Sequence, residues 1–234
     1  TLKNNFLILF YEELMEVYEI IKEMAERISA NEPNRVSKRI KLYSSGVIAK
    51  IQHANYALTK LKELSTQSDI SSTNQTIEFA VSERLHFYVD SFFAFLYSSF
   101  DVIAQVINQK LHLNKDERKV SISSIKDAIN NSYPGAPIKN MMNQLFTSNC
   151  FKNLDRYRNC STHRRQIYIR VETKTIEETP GYSSTGELIT VKRLLCDNPL
   201  SLNPIVRQER ELISYCENIL NRVSKEIISI SNNL

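Results

Sequence analysis

The sequence predicts an all-α helical bundle with one β-hairpin inserted before the last helix. Two observations carry this reading. Apolar residues recur every three or four positions along most of the 234 residues, and only 4 Gly and 6 Pro punctuate them. From Ile167 to Lys174 that period gives way to alternation, and Leu188–Leu195 is a second β-prone run. A hydrophobic content of 42% excludes a disordered or low-complexity chain. The length is enough to bury a sizeable core without disulfide or metal staples.

The first helix is expected from Phe6 to Ile28, where Leu7, Phe10, Leu14, Val17, Ile21, Met24 and Ile28 form one stripe beside a Glu-rich face. Asn31-Glu32-Pro33-Asn34 ends it, so residues 1–34 read as an N-terminal accessory helix. A second helix, from about Ser37 to Leu64, carries Ile40, Tyr43, Val47, Ile51, Leu58 and Leu61 in its stripe, and the polar run Ser65–Thr76 is a loop. The third, from about Ile77 to Leu113, is apolar on nearly all sides between Phe87 and Ile107 and marks the centre of the bundle. Shorter helices follow at Ser121–Asn131 and Ala136–Cys150, separated by Tyr133-Pro134-Gly135, and another begins near Phe151 and carries Leu154 and Tyr157. Residues 37–164 therefore form the body of the bundle.

Ile167, Ile169, Val171 and Thr173 alternate with Tyr168, Arg170, Glu172 and Lys174, and Leu188–Leu195 is a second β-prone run. With the turn-rich Thr179–Gly186 between them, residues 165–196 read as the hairpin. The last helix, 203–232, starts with Asn203 as N-cap and Pro204 at the first helical position. No internal repeat and no domain boundary appears, so residues 1–234 are expected to form a single domain.

Several function classes drop out. The most apolar stretch, Ser91–Phe100 between Asp90 and Asp101, falls short of the ~18 residues of a membrane span. Phe6–Phe10 is followed at once by Glu12, Glu13 and Glu16, which is not the pattern of a signal peptide. Cys150, Cys160, Cys196 and Cys216 form no C-x-x-C pair and read as reduced thiols of a cytoplasmic protein. No Gly-rich phosphate loop, G-x-S-x-G, H-E-x-x-H or EF-hand loop is present, and His53, His86, His112 and His163 are scattered. Neither a metal nor a cofactor is expected. His53 and His86 sit within helices as surface or core-edge residues, which leaves His163.

The net charge of +4 is unevenly placed. Phe151–Arg170 contains Lys152, Arg156, Arg158, Arg164, Arg165 and Arg170 against the single acid Asp155, a net +5 that leaves the other residues at −1. Charge runs usually mark a solvated face. Here Tyr157 and Tyr168 interleave with the cations as stacking surfaces for bases, and His163 supplies a group that titrates near neutral pH.

Within this window stands Arg158-Asn159-Cys160-Ser161-Thr162-His163. It resembles the signature of the HEPN superfamily (higher eukaryotes and prokaryotes nucleotide-binding), an Arg followed by a polar residue and, after four to six intervening residues, a His. Phe95–Ala104 is also similar to the second bundle helix of such domains. The resemblance spans about Ser37 to Leu234, with the first helix and the hairpin as embellishments.

The resemblance implies a HEPN-type bundle and metal-independent RNA cleavage, in which the ribose 2′-OH attacks phosphorus and leaves a 2′,3′-cyclic phosphate and a 5′-OH. Arg158, Asn159 and His163 are the implied catalytic residues, and Lys152, Arg156, Tyr157, Arg164, Arg165 and Arg170 would bind the RNA. The residue types suit the chemistry: an imidazole can carry the proton, and a guanidinium can grip two phosphate oxygens. Asp101 is weighed as a support for Arg158 against an ordinary helix-surface carboxylate. The resemblance also implies a toxin or defence effector, with an antitoxin protein as a candidate partner. The alternative is a catalytically silent HEPN bundle that binds nucleotide or RNA, or acts as a regulatory module.

Residues five apart on a regular helix lie about 140° apart around its axis, so Arg158 and His163 do not share a face. Either the helix ends or distorts between them, or a second copy completes the site. The resemblance implies the second, a homodimer with a composite site.

Overall fold

A computed structural model describes residues 2–66, 79–133, 135–163, 167, 169–176, 189–197 and 209–234. Among these, the chain forms seven α-helices and one three-stranded antiparallel sheet. The order is α1 (Leu2–Ser29), α2 (Asn34–Thr66), α3 (Phe79–Lys110), α4 (Ile122–Ser132), α5 (Pro137–Thr147), α6 (Asn149–His163), β1 (Ile169–Ile176), β2 (Ile189–Asp197), β3 (Glu209–Glu211) and α7 (Leu212–Asn232).

The long apolar helix sits at the centre, as its composition requires. Val81, Leu85, Val89, Phe92, Phe93, Leu96, Phe100, Ile103, Ala104, Val106 and Ile107 of α3 are all buried. By length and composition α3 would suffice to cross a membrane, which the shorter apolar run counted from the sequence understated. In the fold, half of its apolar window is buried against the rest of the bundle.

Helix α2 lies along α3 with Gly46 against it: a Cβ there would meet Val102 Cγ1 at 3.1 Å. Alanine would force a small adjustment, and a branched side chain has no room. Gly46→Val is expected to cost about 1–3 kcal/mol by overpacking, read as a lowered midpoint in thermal denaturation followed by circular dichroism.

Short helices are set by their ends. Ser121 caps α4 in a reciprocal capping box with Ser124, and Pro137 opens α5 at its first position. Asp101 of α3 also serves α4, accepting from the Ile122 N–H at 3.0 Å. Arg27 of α1 donates to the Ser231 carbonyl at 2.9 Å, tying the first helix to the last.

The inserted hairpin is present, with β1 and β2 paired from Ile169↔Cys196 to Ile176↔Ile189. It is extended by β3, which pairs with β2 from Leu195↔Glu211 to Asp197↔Glu209. This corrects the start of the last helix. The Asn203-Pro204 signal lies outside the described residues, and Glu209–Glu211 are still extended in the ladder. Strand pairing overrides the helical pattern there. The helix opens instead at Leu212, where the Glu211 carboxylate accepts from the N–H groups of Ile213 (3.2 Å) and Ser214 (2.6 Å).

Candidate functional site

Helix α6 carries the basic window, and its 3.6-residue period divides it into two faces. Cys150, Phe151, Leu154, Tyr157 and Cys160 turn inward and are buried. Lys152 and Arg156 are exposed, and Arg158 and Asn159 are half-buried at the rim.

Tyr157 is therefore not a stacking surface for RNA. Its side chain is 0% exposed and stacks on Phe93 at 4.3 Å between ring centroids and 12° between planes. Tyr215 packs at 5.3 Å, and the hydroxyl lies 3.9 Å from Cys196 Sγ. Burial pushes its phenol far above the ordinary range. The helical phase that turns Arg158 outward turns Tyr157 into the core.

Arg158 is held by three groups from two helices. Its guanidinium carbon lies 4.1 Å from the centroid of the Tyr97 ring on α3. One turn back on α6, Asp155 Oδ1 is 3.9 Å from Arg158 Nη2. Asp101, one turn beyond Tyr97 on α3, adds a half-buried carboxyl that feels the guanidinium. The Tyr97 phenol is raised above its usual range mainly by burial, against a hydrogen bond with Arg158 that lowers it. The Arg158 side chain keeps 28% of its surface exposed, so the group is oriented by the protein at the rim of the helix.

Burial also raises the Asp101 carboxyl above the ordinary carboxylate range, against the lowering effects of the Ile122 N–H and Arg158. A raised value in the fold means that the native state holds this proton more tightly than the unfolded chain does. Stability contributed here falls as pH rises from the ordinary carboxylate range through the raised value. Asp101→Asn keeps an acceptor for Ile122 and cannot ionise. Thermal melts across pH 3–7 are expected to show the variant matching the natural chain at the acid end and gaining on it as pH rises.

The remaining sequence-predicted residues are placed only in part. The backbone of His163 is the last residue of α6 and that of Arg170 lies in β1, and their side chains lie outside the described residues. Arg164, Arg165 and Tyr168 lie outside them altogether. The helix runs as one piece from Asn149 to His163, so it does not end between the two motif residues. Their positions differ by the ~140° of a regular helix, on opposite flanks of the buried face.

Tyr97 and Asp155 were not singled out by motif. Tyr97 is hidden in an apolar stretch, whereas the i, i+3 spacing of Asp155 and Arg158 was there to be read. The four cysteines form no disulfide and are buried, and burial pushes the Cys150 thiol up to about 11 and that of Cys216 well up, away from a reactive thiolate. Among the described residues no group of three His, Cys, Asp or Glu could hold a metal ion.

No curated protein and no solved structure matches the chain. The sequence model of the HEPN_Cthe2314-like HEPN family matches residues 43–217, well over half of the chain. That range takes in most of α2, all of α3–α6, the sheet and the start of α7, and it leaves α1 outside. A central apolar helix, a late helix with a rim arginine stacked on it, and a family match that contains both lead to one conclusion: the chain is a member of the HEPN superfamily.

Proposed function

We propose that the protein is a metal-independent endoribonuclease of HEPN type that works as a homodimer. The observation that carries this reading is the oriented, partly exposed Arg158 side chain, on the helix that bears the Arg-Asn-His set and the exposed cations Lys152 and Arg156. Family membership supports an RNA- or nucleotide-directed role for that set.

In this reading an imidazole of His163 takes the proton from the ribose 2′-OH. The O2′–P bond forms, the P–O5′ bond breaks, and O5′ leaves with a proton returned by an imidazolium. Arg158 offsets the charge that builds on the non-bridging oxygens, and Asn159 orients the phosphate or a catalytic side chain. Lys152, Arg156, Arg164, Arg165 and Arg170 bind the backbone through charge rather than base edges.

The unbroken α6 supports a composite site. An arginine and a histidine on opposite flanks of one helix meet at a single phosphate if each reaches toward its counterpart on a second copy. A cytoplasmic toxin or defence role, restrained by an antitoxin protein, completes the proposal.

The test is incubation of the purified protein with mixed RNA in EDTA. Fragments ending in 2′,3′-cyclic phosphate support the reading. Intact RNA together with measurable RNA binding would favour the silent, binding-only module instead.

A further inference from the structure

A cleft of about 490 Å³ opens between the first turns of α2 and the loop that follows α3, away from Arg158. Its charged lining is unequally occupied. Asp116 is used as a cap, accepting from the Arg118 N–H at 3.1 Å. Glu117 lies 3.0 Å from Arg39 Nη1. His112 faces Glu32 at 3.3 Å. The other two cations of the lining, Arg35 and Lys115, have no ion-pair partner within 4 Å among the described residues.

Both stand on stiff backbone. Arg35 is in the first turn of the 33-residue α2. Lys115 is pinned by Asn108, only 2% exposed, whose amide donates to the Lys115 carbonyl at 3.0 Å and accepts from its N–H at 3.1 Å. Arg39 and Glu117 cancel and Asp116 keeps its charge while it caps, so the lining carries a net +1, with Arg35 and Lys115 as the cations that have no ion-pair partner among the described residues. A phosphomonoester suits this net-positive lining, and Arg and Lys are the side chains suited to hold a phosphate. The volume falls within the range of small-molecule sites and exceeds what a bare phosphate fills. The amides of Gln109 and Asn114, also in the lining, offer both donors and acceptors to a hydroxylated body.

We propose that this cleft binds a small phosphomonoester, a phosphate dianion carried on a polar sugar-sized or nucleoside-sized body. The site is separate from α6 and stands or falls independently of RNA cleavage.

Isothermal titration of the full chain with ribose 5-phosphate, adenosine 5′-monophosphate, adenosine and inorganic phosphate tests it. At least one phosphomonoester is expected to saturate at one per chain, with phosphate weaker and adenosine silent. Arg35→Gln and Lys115→Gln are each expected to weaken binding about tenfold, the loss of one charge-assisted contact. Arg158→Ala is expected to leave it unchanged. The proposal is overturned if neither phosphomonoester binds, if phosphate or adenosine binds as tightly, or if the two cleft variants bind like the natural chain. Loss of binding in Arg158→Ala would move the ligand to α6 and overturn it equally.

Discussion

Arg158→Ala and His163→Ala are each expected to lower the rate of RNA cleavage about a hundredfold to a thousandfold while leaving the helical circular dichroism signal in place. Removing one donor to a developing oxyanion costs about 10²–10³ in rate, and removing a general acid or base about 10²–10⁴. Arg158→Lys is expected to recover only part of the loss, because a point charge replaces a fork that grips two oxygens. A rate that persists in both alanine variants would remove the site assignment.

The pair also tests the composite site. Co-expressed Arg158→Ala and His163→Ala chains form mixed dimers in which one arginine and one histidine remain intact on different copies. If the two residues meet across the dimer, the mixture regains activity that neither variant has alone. If they act within one chain, it stays dead, and a monomer mass with full activity would sink the dimer as well.

Tyr157→Ala is expected to destabilise the fold by about 3–5 kcal/mol, the cost of deleting a large buried aromatic side chain. The ring fills the space between α3, α6 and α7 against Phe93 and Tyr215. Tyr157→Phe keeps the stack and removes only the hydroxyl beside Cys196, so a change of about 1 kcal/mol or less is expected. Thermal denaturation measures both. RNA affinity in Tyr157→Phe is expected to equal that of the natural chain. A loss of affinity with unchanged stability would return the ring to the RNA surface.

That residue shows what was legible in the sequence and what was not. Leu154 and Tyr157 share one helical stripe, and the stripe correctly points inward. The surrounding cations suggested an exposed stacking surface, and periodicity was the stronger signal because burial follows helical phase and not local composition. The helices and the hairpin were readable from period alone, since amphipathic faces bury locally determined stripes. The start of α7 was not. Asn203-Pro204 is a sound local cap signal, but Glu209–Glu211 pair with a strand more than ten residues earlier, and no local pattern announces that ladder. For the site, Arg158 was legible as a motif member. Its seat on Tyr97 was not, because an aromatic in an apolar helix reads as core until a second helix brings a guanidinium to its face.

The two faces of α6 give the protein a division of labour along fifteen residues. The inward residues Phe151, Leu154, Tyr157 and Cys160 fit the helix to the bundle, Lys152 and Arg156 face solvent, and Arg158 belongs to both sides through its seat on Tyr97. Lys152 and Arg156 can therefore be exchanged with little cost to the fold, whereas a change at Arg158 also empties a seat against α3.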